Sequence, residues 1–97
     1  MNIVKAASAG TIESSDILIT IQPGNSGIEL ELNSTVEKQF GDQIRKVILE
    51  TLKELNVSNV IVRATDKGAL DCVIKARVQA AVARGTESGK FDFGGVK

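Results

Sequence analysis

Two apolar periods divide the chain. Ile17, Ile19 and Ile21 recur at every second position with Leu18 on the opposite side, and apolar residues on both faces predict an interior strand. Ile28, Leu30 and Leu32 then alternate with Glu29, Glu31 and Asn33, a strand with one dry face and one wet face. Between them Pro23-Gly24-Asn25-Ser26-Gly27 is a dense turn signal, so the two runs read as a β-hairpin with a five-residue loop. From Val36 the period lengthens: Val36, Phe40, Ile44, Val47, Ile48, Leu52 and Leu55 step by three or four, the stripe of an amphipathic helix. Ser34-Thr35-Val36-Glu37 has the form of a capping box, which predicts the helix start at Ser34, and Asn56 is a left-handed stop. Gly41 costs roughly 1 kcal/mol relative to alanine at this position and is expected to mark a close approach to another backbone. A β-branched run from Val57 to Ala64 predicts a third strand. Thr65-Asp66-Lys67-Gly68 breaks it, and Leu70, Val73, Ile74, Arg77, Val78, Ala81 and Val82 form a second helical stripe that Gly85 ends. Asp71 and Lys75 stand in the favourable order for an i,i+4 pair.

The predicted order is ββαβα, an α+β fold with a three-stranded mixed sheet and two helices on one face. A helix between the second and third strands makes those two parallel. Placing the third strand beside the first puts the first in the centre, with Ser14 at its mouth. Residues 1–9 are expected to form an N-terminal arm, either flexible or a short edge segment. Residues 10–84 form the domain. Residues 85–97 carry four glycines and no periodicity, and are expected to be a flexible tail in which Phe91 and Phe93 at most dock locally.

At 97 residues, the chain supports one modest core but no deep cleft between domains. Twelve basic and twelve acidic residues cancel, so no global field draws the protein to nucleic acid or a membrane. No apolar run approaches the roughly 20 residues of a membrane helix, and the first residues lack the order of a secretion signal. These features predict a cytoplasmic protein. The single cysteine, Cys72, forms no internal disulfide and is placed on or beside the buried face of the second helix, next to Val73 and Ile74. There is no histidine, which removes the commonest general base and a frequent metal ligand. With no nucleophile beside a base and no Gly-rich phosphate loop, the inventory suits a carrier or binding module better than an enzyme.

Ahead of the first strand lies Gly10-Thr11-Ile12-Glu13-Ser14-Ser15-Asp16, a small polar loop with two adjacent hydroxyls flanked by acids. On composition alone these are ordinary loop hydroxyls. The stretch resembles the attachment segment of the acyl carrier family of bacterial citrate lyase, its gamma subunit, with Ser14 at the position that bears the prosthetic group. Two further blocks, Ser34 to Gly41 and Asp66 to Cys72, are similar to segments of the same family. Ile44-Arg45, Ile48-Leu49 and Ala76-Arg77 continue the likeness, and the matches keep their order across residues 10–84. Each block also has a plain structural reading: capping for Ser34 and Glu37, core packing for Phe40, turn chemistry for Asp66 and Gly68.

The resemblance implies a non-catalytic carrier. Its cofactor is 2'-(5''-phosphoribosyl)-3'-dephospho-CoA, covalently attached to Ser14, whose thiol holds acetyl and citryl thioesters while citrate is cleaved to acetate and oxaloacetate. The implied partners are the citrate lyase alpha subunit, an acyl transferase, and beta subunit, a citryl lyase, with a prosthetic-group transferase and an acetylating ligase acting transiently. The protein would supply a tethered arm, so that each handover is intramolecular. Unlike ordinary acyl carrier proteins, whose serine begins a helix, the matching serine here precedes a strand. Ser15 offers a second hydroxyl. Glu13 and Asp16 would repel an incoming phosphate. Lys38, Arg45 and Lys67 are available to partner subunits or to the phosphates of the arm. Two other readings stay open: the carrier subunit of malonate decarboxylase, against which the Asp66 to Cys72 block argues, and a small regulatory or ligand-binding module without a covalent cofactor.

Overall fold

The computed structural model describes residues 2–86. Four strands and two helices follow in the order β1 (Ala7–Gly10), β2 (Ile17–Pro23), β3 (Ile28–Ser34), α1 (Glu37–Glu54), β4 (Val60–Asp66) and α2 (Asp71–Thr86). The sheet order is β1-β2-β4-β3. β2 is antiparallel to β1 and β4, and β3 is parallel to β4. The α+β class, the parallel pairing across α1 and the interior place of β2 agree with the sequence pattern, with four strands in place of three. The added strand is β1, an edge strand within the residues 1–9 segment and its junction. It is too short and too rich in small residues to announce itself by alternation.

The expected hairpin is not formed. β4 inserts between β2 and β3, pairing Ile19 with Ala64 on one side and Leu32 with Ala64 on the other. Val60 to Asp66 is the strand with the larger buried set, Val60, Val62, Ala64 and Asp66 each at 2% exposure or less. Flanking that strand on both sides removes more apolar surface from water than pairing β2 directly with the half-buried β3 would. The turn signal at Pro23 to Gly27 is genuine, but it opens a wider connection, closed where the Val60 amide donates to the Gly27 carbonyl and Asn59 Oδ1 accepts from the Gly27 amide.

Both helices cover one face of the sheet. Ile17, Ile19 and Ile21 of β2 and Val60, Val62 and Ala64 of β4 meet Ile44, Ile48 and Leu52 of α1 and Ile74, Val78, Ala81 and Val82 of α2 in a single core. The opposite face carries charge, including Arg63 of β4 paired with Glu31 of β3 at 3.3 Å. α1 ends as its sequence predicts. Asn56 takes φ 59°, the Val57 amide donates to the Leu52 carbonyl and the Asn56 amide to that of Lys53, a Schellman closure.

Several local expectations are corrected. The capping box is absent: α1 begins at Glu37 with no side-chain cap on Val36, because Ser34 closes β3 and its Oγ accepts from the Val36 amide while donating to Asp66 Oδ2. Glu37 turns along the helix to Arg45 at 2.6 Å. Gly41 lies beneath that pair, and an added Cβ would stand 2.9 Å from Glu37 Cγ, so it makes room for its own helix's ion pair and not for another backbone. Asp71 and Lys75 take separate partners, Gln43 and Glu54. Gly85 is buried inside α2. Its carbonyl accepts from the Val4 and Lys5 amides, and a Cβ there would meet Ile21 Cδ1 at 2.8 Å. The tail expected over 85–97, with Phe91 and Phe93, lies from residue 87 onward outside the described residues.

Candidate functional site

The three sequence blocks, far apart in the chain, converge at one end of the sheet. Register alone accounts for this: Ile17 opens β2 opposite Asp66, which closes β4, and Ser34 closes β3 opposite the same residue. Asp66 is 1% exposed. Its carboxylate accepts from Ser34 Oγ at 2.9 Å and from the Gly68 and Ala69 amides at 3.0 Å each, so a buried charge has its hydrogen bonds supplied. The turn reading of Asp66 and Gly68 holds, Gly68 having φ 93°. In addition Asp66 joins the starts of both helices to the sheet.

The loop carrying Ser14 is fastened to this end by two backbone bonds. The Ser15 amide donates to the Lys67 carbonyl at 2.8 Å, and the Lys67 amide donates to the Asp16 carbonyl at 2.9 Å. Within the loop the Asp16 amide donates to the Glu13 carbonyl at 3.2 Å. Glu13 to Asp16 is therefore a tight turn with Ser14 and Ser15 at its two central positions. Ser15 has φ 65° and Ser14 does not share this sign, the pattern of a type II turn. Both serines are exposed, but they are not equivalent. Ser15 is the strained, amide-bonded residue, while Ser14 stands at the outer corner.

Asp16 anchors the far side of the turn. Its carboxylate accepts from Arg77 Nε at 3.1 Å and Nη2 at 2.8 Å, from Thr11 Oγ1 at 2.7 Å and from the Ile17 amide at 2.7 Å. The Arg77 guanidinium first, then the Thr11 hydroxyl and the Ile17 amide, hold this carboxyl well below the usual carboxylate range. Sequence reasoning placed Arg77 on an apolar stripe and Asp16 among charges that repel phosphate. With Arg77 in place, Asp16 is neutralised, and Glu13 is the remaining acid of the loop. A charged residue at a stripe position was the signal that could have found the pair. Gly10 makes the approach possible: it has φ 101°, and a Cβ there would fall 1.9 Å from the Ile17 carbonyl oxygen.

On the other side of Gly68 lies an open groove of about 410 Å³, lined by Val36, by Phe40 and Ile44 of α1 and by Gly68, Ala69 and Leu70. Phe40 is 52% exposed and Leu70 69%, which corrects the core placement of both. Cys72 is exposed, not on the buried face: α2 points Ile74 and Val78 inward, and Cys72 lies two positions from Ile74, about 200° around the helix. Arg45 is engaged by Glu37 and Asp42. Lys38 and Lys67 are exposed. Among the described residues no group of His, Cys, Asp and Glu could hold a metal ion, and no helix is long and apolar enough to cross a membrane.

A family model described as the malonate decarboxylase delta subunit, an acyl carrier family, matches residues 4–85. The class is an acyl carrier with an α+β fold, a subunit that is not itself a catalyst. Citrate lyase acyl carrier protein from Lacticaseibacillus casei strain BL23 is 57% identical over 93 residues, covering 96% of this chain and 92% of that one. The protein of the same name from Clostridium perfringens strain 13 is 52% identical over 98 residues, covering 100% and 97%. The chain belongs to the citrate lyase acyl carrier protein family. Its fold is also similar to a chain in the crystal structure of a Pseudomonas malonate decarboxylase hetero-tetramer in complex with malonate, at TM-score 0.74, 15% identity and 87% coverage of each chain.

Proposed function

We propose that the chain is the acyl carrier subunit of citrate lyase and that Ser14 bears phosphoribosyl-dephospho-CoA through a phosphodiester. The observation that carries the assignment to Ser14 is its place at the outer corner of a turn whose other members are all held. Ser15 is tied through its amide, Asp16 through its carboxylate, and Glu13 through its carbonyl. A transferase needs an exposed hydroxyl on a backbone it can grip, and here the base of the turn is rigid while the tip is open. The residues fit the group: the carboxylate nearest the serine on its C-terminal side is already paired with Arg77, and Lys67, bonded to the same turn through its backbone, has an exposed side chain.

When attached, the group supplies the thiol that carries acetyl and citryl thioesters. The chain's own residues hold its root. Thr11, Asp16 and Arg77 fix the loop against α2, Lys67 fixes it against the β4–α2 turn, and the serine oxygen then projects away from the core. Tethering raises the local concentration of the acyl group at each partner site. The partners in this reading are the alpha subunit that transfers the acyl group and the beta subunit that cleaves citryl thioester, with the attaching transferase and acetylating ligase as transient partners in the cytoplasm.

Co-expression with the modifying enzymes tests the assignment by intact mass. The parent and Ser15→Ala should gain the mass of the group, and Ser14→Ala should not, while melting within the range expected of about 0.5 kcal/mol for an exposed loop hydroxyl. An adduct kept by Ser14→Ala and lost from Ser15→Ala moves the site. No adduct on the parent removes the carrier chemistry. Malonyl recovered from the holo-protein in place of acetyl assigns it to malonate decarboxylase.

A further inference from the structure

Phe40 and Leu70 are large apolar side chains left in solvent at 52% and 69%, and they border the same groove. Phe40 stands on α1 and Leu70 immediately before α2, in line with stripe residues such as Ile44, Ile48, Ile74 and Val78 that are buried in the core. Exposed apolar surface gathered in one concavity marks a binding site. At about 410 Å³, the groove is within the range of roughly 300–1,000 Å³ for a small-molecule site.

Its position selects the occupant. The groove floor includes Gly68 and Ala69, and the preceding residue, Lys67, is the one whose backbone bonds both Ser15 and Asp16. A group rooted on Ser14 therefore emerges on the other side of a single turn from the groove. Such a tethered occupant reaches the groove at high effective concentration, so even a weak site is filled. The rim adds polarity of a particular kind. Gln43 Nε2 donates to Asp71 Oδ2 at 2.9 Å, which leaves Gln43 Oε1 and Asp71 Oδ1 as acceptors beside an aromatic ring. Flat apolar walls with acceptors at the edge suit a planar base carrying an amino group, and repel a phosphate.

We propose that this groove is a resting site for the adenine base of the group attached to Ser14, stacked against Phe40 and Leu70 with its amino group facing Gln43 and Asp71. The inference rests on the Ser14 reading and adds the place where the root of the arm settles. Holding the base here would leave the pantetheine end, which lies beyond the diphosphate, free to visit partner sites.

The test compares apo- and holo-protein by NMR, after intact mass has shown whether the adduct is present. Expected are amide shifts at Phe40, Gly68, Ala69 and Leu70 in addition to residues 11–17, and Overhauser contacts between the adenine protons and the Phe40 ring. In holo Phe40→Ala/Leu70→Ala, those contacts should vanish and the adenine lines narrow toward those of free dephospho-CoA, with the adduct mass unchanged. Shifts confined to residues 11–17 and Lys67 in loaded parent protein would overturn the proposal while leaving Ser14 as the attachment site. Absence of any adduct would instead remove the Ser14 reading. If the apo-carrier's Phe40 and Leu70 resonances respond to the alpha or beta subunit and the adenine makes no contact there, the groove is a subunit docking site and the proposal fails.

Discussion

Arg77 of α2 grips Asp16 with two hydrogen bonds, Nε to Oδ1 at 3.1 Å and Nη2 to Oδ2 at 2.8 Å, joining the serine loop to a helix 61 residues away in sequence. The Asp16 side chain is only 14% exposed, so this pair is more sheltered than the other ion pairs of the surface. It turns an acid that would oppose a phosphate into the anchor of the loop that would receive one.

Stability should report this pair through pH. A carboxyl held below its usual value stabilises the folded state fully above its unfolded pKa, near 4, and that contribution drains away as pH falls toward the folded value. The parent should lose stability below about pH 4, and Arg77→Ala should lose less of it over the same interval, because the largest cause of the depression is gone. Melting temperatures at pH 7 and pH 3 for both proteins measure this. Equal losses would show that Arg77 does not hold the carboxylate.

Gly10 should be intolerant of any side chain. The Cβ of an alanine would stand 1.9 Å from the Ile17 carbonyl oxygen on a backbone of φ 101°, so β1 must part from β2. Gly10→Ala is expected to cost at least about 2 kcal/mol, roughly 8 °C or more in melting temperature for a domain of this size. Gly27 has φ 93° but open space around it, and Gly27→Ala should cost about 1 kcal/mol, the strain alone. Similar losses for the two variants would contradict the close approach of the strands.

Ser15 occupies a left-handed conformation at φ 65°, a backbone region that glycine enters without penalty and β-branched residues avoid. Ser15→Gly should melt at or above the parent, whereas Ser15→Val should lose about 1–2 kcal/mol. If Ser14 is the attachment site, as proposed above, both should still acquire the prosthetic-group mass. Loss of the adduct from Ser15→Gly, with the fold intact by circular dichroism, would assign the Ser15 hydroxyl a direct part.

Cys72 is exposed on the first turn of α2. Native protein should react with a thiol reagent at a rate within a few-fold of that of the unfolded chain, because access is not gated by unfolding. A native rate many-fold slower would place the thiol inside the structure.

How much of this was legible in sequence depended on range. The period-two and period-3.6 stripes located the strands Ile17–Pro23, Ile28–Ser34 and Val60–Asp66 and both helices to within a few residues, because each stripe is a local record of which face is dry. Asn56 could be read as the α1 stop for the same reason, since a left-handed residue solves a purely local need for the last carbonyls. The serine loop, the Asp66 turn and the start of α1 were visible as three separate blocks. Strand order was legible only in part: the third predicted strand was expected beside the first, and β4 does pair with β2, but a turn signal after β2 states only that the chain bends, and competition for buried surface decides that β3 lies outside β4 and not beside β2. The same holds for Ser34, whose capping pattern yields to a hydrogen bond with Asp66, 32 residues away. Arg77 looked like one member of a stripe until packing brought it to Asp16. Cys72, Phe40 and Leu70 looked inward until the helix rotations were fixed by Ile44, Ile48, Ile74 and Val78. Period specifies the dry faces, and tertiary packing decides which neighbours those faces meet, because burial of a shared core is settled between elements and not within any one of them.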